Sequence, residues 1–358
     1  MKKKHIFEFF LIAAFLMPQI LLACTTFCLR TEDRIIFGRN YDWSIGDGLV
    51  VINKKNTEKK ISSSENGVIL KWISKHGSIS FNQYGIDSPM DGLNEEGLVV
   101  AQMWLDNTSY PAPDSRPGVG ALTWIQYQLD NSGSVEEVIS SDQKLRIDSE
   151  LAAPLHFLVC DASGQAAVIE FLDEKRVVYT KDSLPYSALT NSTYSDSLQF
   201  LKDNKTDPNL LPRFWISNSF VRFSKAANMV DEYNSQHNSQ IMDYGFKILD
   251  AVRSDSSTQW SIVYDITDLQ VEFKTLQSFN RKTVSLKNFR LNCESSIKVL
   301  DVNSGHGGGV EGFFVDYTSK INRDLIYSTY KRTSFLQNIP NQILDSIAEY
   351  PESFRCIK

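Results

Sequence analysis

The stretch Leu21-Leu22-Ala23-Cys24-Thr25-Thr26-Phe27 ends one kind of sequence and begins another. Upstream of it, Lys2, Lys3 and Lys4 precede an apolar run over residues 6–23, broken by Glu8 and Gln19, with Pro18 a few residues before Ala23. A positive start, an apolar middle and a small-residue end are the pattern of a secretory signal. Residues 1–23 therefore read as a signal peptide, and residues 24–358 as one folded domain with a C-terminal closing segment. Left uncleaved, the same run is just long enough to anchor the chain in a bilayer.

Cleavage after Ala23 would give Cys24 both a thiol and a free α-amine. The amine has an ordinary pKa of about 7.7–8.0 and the thiol about 8.5, so near neutral pH the amine can take the thiol proton at little cost. Nucleophile and base then share one residue. The same residues also approximate a bacterial lipoprotein box, in which the thiol carries a diacylglycerol and the amine is acylated. That alternative predicts an anchored, non-catalytic binding protein. Lipoproteins usually continue with a polar tether, whereas Thr25-Thr26-Phe27-Cys28-Leu29 runs straight into a strand-like pattern.

Of 358 residues, 42% are hydrophobic, which is material for one large core or two smaller ones. The leader carries three lysines and one glutamate, so its removal changes the net charge from −6 to −8. Nucleic acid is not an expected partner of so acidic a chain. No second long apolar run exists, so the mature chain is not expected to span a membrane. With Cys24 reserved for chemistry, Cys28, Cys160, Cys293 and Cys356 can pair in three ways or remain buried thiols. Cys293 with Cys356 is the preferred pair, because it would pin the chain's end. No CxxC or HExxH spacing occurs and the five histidines are scattered, so no metal site is expected.

Residues 25–29 and 34–40 read as two strands around Thr31-Glu32-Asp33-Arg34. If Glu32-Asp33 is the two-residue loop, Thr26 faces Arg39 and Cys24 faces Tyr41. Arg39 then lies on the thiol's side of the pair, where a guanidinium favours the thiolate. Asp42 has the opposite parity but falls at the strand end, where a bend would aim its carboxylate at the amine. A solvated Arg–Asp pair at a strand end is the plainer alternative.

Further on, residues 53–67 are polar and lysine-rich and read as a mobile loop. Residues 68–74 and 78–83 look like a hairpin about His76-Gly77, and 93–98 a turn leading into the strand 99–104. Residues 106–118, with three prolines, read as a loop rimming a pocket. Helices are expected over 121–131, over 135–145 with Ser134 and Glu137 as a capping box, from about 192, and over 219–233 and 240–252. Residues 155–159, 166–171, 176–179, 260–267, 269–274 and 283–286 return to strand, and 305–309 reads as a flexible glycine loop. Two closing helices are expected over 321–350. Strands and helices arrive in batches, which makes the chain α+β or layered.

With Cys24-Thr25-Thr26-Phe27 followed by Gly38-Arg39-Asn40-Tyr41-Asp42-Trp43, the chain resembles the choloylglycine hydrolase family, which holds conjugated bile salt hydrolases and penicillin V acylases. The resemblance continues through Asp91-Gly92-Leu93-Asn94-Glu95-Glu96-Gly97-Leu98, Leu189-Thr190-Asn191-Ser192 and Arg222-Phe223. It implies a four-layer αββα sandwich of the amino-terminal nucleophile hydrolase type and hydrolysis of a linear amide C–N bond without a cofactor. By the same resemblance Cys24 is the nucleophile, Arg39 and Asp42 are its electrostatic partners, Asn191 faces the oxyanion, and Arg222 is the second arginine. Trp104 stands where bile salt hydrolases carry asparagine, which resembles the Gram-negative penicillin V acylase branch. Some members of that branch also cleave acyl-homoserine lactones. Trp43 and Trp104 would then line the acyl pocket. The implied substrate is a small N-acyl amide such as penicillin V or an acyl-homoserine lactone, with a conjugated bile salt as the alternative. The implied setting is export to the periplasm, with assembly as a homotetramer.

Overall fold

The computed structural model describes residues 24–62, 68–149, 152–203, 218–234 and 240–357. The leader, residues 1–23, lies outside them. Two antiparallel sheets dominate. The first orders Ala188–Leu189, Thr25–Arg30, Ile35–Asp42, Thr258–Asp265, Gln270–Thr275 and Lys282–Ser285 side by side, with Gly308–Gly309 added in parallel at one edge. The second has nine strands, with Leu155–Cys160, Val99–Trp104, Pro89–Asn94, Ser78–Asn82 and Leu49–Asn53 at its centre.

Alternation along the strands explains how these layers stack. In Val99–Trp104, Val99, Ala101 and Met103 join the large cluster that also holds Phe27, Phe37 and Trp260 of the other sheet. Val100 turns the other way and packs with Trp124, Ile125 and Leu129 of the helix Ala121–Asn131. Period-two alternation in a strand buried on both faces gives this division. On the far side, the helices Ser219–Asn234 and Ile241–Ala251 cover the first sheet with Phe223, Ala226, Phe246 and Leu249. The order helix, sheet, sheet, helix is the αββα sandwich that the resemblance implies.

The first hairpin has the expected register: Thr25 to Arg30 pair with Asn40 back to Ile35, and Thr26 faces Arg39. Gly38 is required there, since a Cβ would lie 2.2 Å from the Phe27 ring opposite. The expected hairpin about His76-Gly77 does not form. Ile69–Ile73 pairs instead with Thr57–Ser62, and Ser78–Asn82 joins the nine-stranded sheet. The turn between them is held from elsewhere: Asp130 O accepts from Lys75 N and His76 N, and Glu95 Oε1 from Gly77 N.

The polar stretch 53–67 is likewise not simply a loop. Its residues 57–62 are a strand, and Lys59 is buried between Asp87 and Asp130. Lysine-rich composition suggested solvent, but two buried carboxylates supply the partners that let this one go inside. Residues 63–67 of that stretch lie outside the described residues. Both remaining cysteine pairs are bonded, Cys293 to Cys356 and Cys28 to Cys160. The second joins the strand after Cys24 to the nine-stranded sheet.

Candidate active site

Cys24 immediately precedes the first strand and is the one cysteine outside a disulfide. It is 3% exposed, and its sulfur accepts from Asp42 N at 3.4 Å and donates to Asp42 O at 3.7 Å. Burial pushes the thiol up to about 11, against the pull of Arg39 and Arg222, while the Asp42 carboxylate adds to the rise. Arg39 therefore does favour the thiolate, but with residue 23 still attached through the amide of Cys24, desolvation wins.

Asp42 ends its strand opposite a bulge, the register shifting between Thr258 and Trp260. Thr258 donates its hydroxyl to Asp42 Oδ1. Asp42 Oδ2 is buried and makes no hydrogen bond, and the Ser257 hydroxyl, near enough to favour the carboxylate, does not close on it. Burial raises this carboxyl to about 6 despite Thr258, Arg222 and Arg39.

Arg39 is fully buried, with Nη1 2.6 Å from Met90 O and 2.7 Å from Asp91 Oδ2. Tyr264 donates its hydroxyl to the other oxygen of Asp91, so this carboxylate ties Arg39 to both sheets. Arg222 lies on the inner face of its helix, one residue from Phe223 and four from Ala226. Asn218 caps that helix by accepting from Phe220 N at 2.9 Å. Arg222 Nε reaches Thr25 Oγ1 at 3.3 Å and Nη2 reaches Asn191 Oδ1 at 2.9 Å. Burial pulls this guanidinium down to about 10, and Asp42 and Cys24 oppose the fall.

Asn191 follows the short strand Ala188–Leu189, which pairs with Thr26 and Phe27. Its Nδ2 donates to Trp104 O at 2.9 Å and its backbone N–H to Ser219 Oγ at 2.9 Å. The preceding residue is held by a buried dyad. His156 Nε2 is 2.7 Å from Thr190 O, a group that can only accept, so Nε2 carries a proton. Nδ1 faces Glu170 Oε1 at 3.0 Å, and the same oxygen accepts from Tyr194 N. A lone histidine in a buried strand gave no sequence signal for this role.

Above Cys24 opens a cavity of about 170 Å³, walled by Tyr41, Trp43, Trp104 and Leu155 and closed by Tyr330 and Phe335. The Trp43 and Trp104 ring centres are 6.0 Å apart. The structure thus brings Cys24, Arg39, Asp42, Asn191 and Arg222 together and sets both tryptophans over them. The proline-rich stretch 106–118 contributes no lining residue; Tyr330 of the helix Ser319–Arg332 and Phe335 and Leu336 of the turn after it do so instead. Among the described residues no group of three His, Cys, Asp or Glu side chains could hold a metal.

Comparisons with known proteins bear on the family and the fold. The chain is 28% identical over 322 residues to a penicillin V acylase of Pectobacterium atrosepticum, covering 77% of this chain and 84% of that one. Penicillin V acylase from Agrobacterium tumefaciens superposes with a TM-score of 0.71 at 26% identity, over 82% of this chain and 98% of that structure. A variant of conjugated bile acid hydrolase from Clostridium perfringens shares the fold, with a TM-score of 0.62 at 21% identity over 78% of this chain and 97% of that one. The family model described as linear amide C–N hydrolases, choloylglycine hydrolase family, matches residues 24–231. An enzyme that hydrolyses linear amides is thereby indicated, and the chain belongs to the choloylglycine hydrolase family.

Proposed function

We propose that the protein is exported, that cleavage after Ala23 frees Cys24, and that the enzyme then hydrolyses an N-acylated amide of the penicillin V or acyl-homoserine lactone kind. The observation carrying this reading is that the single unpaired cysteine lies under an aromatic cavity and is surrounded by buried Arg39, Asp42 and Arg222. The α-amine of Cys24 takes the thiol proton, and Asp42 holds and orients the resulting ammonium. The sulfur attacks the carbonyl carbon, and the oxyanion is met by the second N–H of Asn191 Nδ2 and by the backbone N–H of Trp104. The C–N bond breaks as the ammonium returns its proton to the leaving nitrogen. Water, deprotonated by the same amine, then hydrolyses the thioester and regenerates the thiol.

Apolar walls and a volume of about 170 Å³ favour a flat aryl or unbranched acyl group over a rigid four-ring steroid. Burial of Cys24 at a strand start, with no polar tether between it and the strand Thr25–Arg30, weighs against a lipid-anchored binding protein. Intact mass and amino-terminal sequencing of the exported protein, with Cys24→Ala assayed on penicillin V, an acyl-homoserine lactone and glycocholate, test the proposal. A free Cys24 terminus and amide cleavage lost in the variant are expected. A blocked or lipidated terminus would sink it.

A further inference from the structure

We propose that the C-terminal closing segment is the specificity element of this site, and that Phe335 selects N-acyl amides whose acyl group ends in a flat aromatic ring. The inference rests on the hydrolase reading above. The family match ends at residue 231, well before the closing segment. Yet Tyr330, Phe335 and Leu336 line the cavity over Cys24.

Phe335 is 56% exposed, an unusual placement for a phenylalanine, and its ring centre lies 6.3 Å from Trp43 and 6.0 Å from Trp104. With the two indoles 6.0 Å apart, the three rings form a near-equilateral clamp. A fourth ring stacked on the face of this triangle, roughly 3–6 Å off its plane, meets all three within the 4.5–7 Å range of favourable stacked and edge-on contacts, whereas an alkyl chain gains only area.

The clamp is held by a directed hydrogen-bond relay. Thr333 donates its single hydroxyl proton to Thr329 O at 2.8 Å, so at 2.9 Å from the Tyr84 hydroxyl it must accept. Tyr84 in turn accepts from Trp43 Nε1 at 2.7 Å. The orientation of the Trp43 indole is thus tied to the end of the helix Ser319–Arg332. That helix docks on the turn at Gly85, whose φ of 110° and 2.9 Å approach to Ile326 leave no room for a Cβ. Asn322 Oδ1 accepts from Ile86 N at 2.9 Å, and Arg332 pairs with Asp47 at 2.7 Å.

The test compares kcat/KM for the phenoxyacetyl, decanoyl and acetyl amides of p-nitroaniline in the wild type, Phe335→Ala and Thr333→Val. Phe335→Ala should lower the phenoxyacetyl value about tenfold, chiefly through KM, with the acetyl value within about twofold. Thr333→Val, which keeps the volume but breaks the relay, should give a smaller loss of the same selectivity. Equal losses on all three amides, or unchanged selectivity, would overturn the proposal. Calorimetric binding of phenoxyacetate and acetate to the same proteins separates this from the chemistry. If the wild type cleaves none of the amides, the hydrolase reading fails, while phenoxyacetate binding weakened by Phe335→Ala still upholds the clamp and unchanged binding refutes it.

Discussion

Arg222 Nη2 donates to Asn191 Oδ1 at 2.9 Å, and since a guanidinium can only donate, this one bond decides which end of the amide faces which way. Nδ2 is left to face the strand end at Trp104, and one of its two protons goes to Trp104 O. On the proposed mechanism the other proton meets the oxyanion. Asn191→Ala should lower kcat about a hundredfold or more with the thermal melt unchanged within a few degrees, since one such donor is worth about 2.7–4 kcal/mol in the transition state. Asn191→Asp should be no better, because its carboxylate would pair with Arg222 and offer no donor. Steady-state kinetics on penicillin V check both; retained turnover in either would remove Asn191 from the mechanism.

Asp42 sets a pH dependence with a definite sign. In the uncleaved chain the native carboxyl titrates at about 6 against an ordinary 3.8, so between those values the native state binds more protons than the unfolded one. Its contribution is most favourable at low pH and is lost as pH rises through about 6, by on the order of 3 kcal/mol. Asp42→Asn should flatten the stability profile across that window, read by urea melts at pH 4 to 7 against the parent. A freed amine beside Asp42 adds a cation and lowers the carboxyl's pKa, so the difference should shrink in the cleaved enzyme. Identical slopes in parent and variant would contradict this account.

On the proposed mechanism, His156 and Glu170 are positioning residues for the oxyanion side, acting through Thr190. His156→Phe strands the Thr190 carbonyl, at a cost of about 1–3 kcal/mol, and leaves the buried Glu170 carboxylate with Tyr194 N as its remaining donor. The melt should fall by several degrees. The conservative Glu170→Gln can still accept from Tyr194 N and should leave the melt closer to the parent while kcat falls several-fold with little change in KM. Equal changes in kcat and KM would instead indicate a general loosening of the site.

The Cys293–Cys356 bond pins the final strand, Arg355–Cys356, against Thr57–Ser62. Cys356→Ser should destabilise the protein by about 2–4 kcal/mol. Because the closing segment also walls the cavity, KM for an aryl-acyl substrate should rise more than KM for an acetyl one. Melts and kinetics of the variant against the wild type check both points.

Much of this was legible in the chain before any coordinates. Thr31-Glu32-Asp33-Arg34 fixed the hairpin register because a two-residue loop admits one pairing, and that register alone placed Arg39 facing Thr26. The helix Ser219–Asn234 falls where one was expected over 219–233, and Val135–Ser140 starts at the expected Ser134 cap. What failed did so for tertiary reasons. Lys59 looks solvated until Asp87 and Asp130, 28 and 71 residues later, are seen around it. Thr57–Ser62 is a strand because Ile69–Ile73 and Arg355–Cys356 flank it, and no local propensity reports a partner almost 300 residues away. The wall of the cavity was misplaced onto 106–118 because proline-rich composition marks a loop but not where it goes, while Phe335 follows a helix that reads as ordinary.

The Cys28–Cys160 bond has a further consequence for a nucleophile that begins a chain. Free ends ordinarily fray, and a reactive group on the first residue would share that disorder. Here the strand Thr25–Arg30 is flanked on both sides, by Ala188–Leu189 and Ile35–Asp42, and is tied to the opposite sheet four residues after Cys24. A terminus held in this way needs no preceding residue to keep its place, so removal of the leader would free the amine without releasing the thiol from the site.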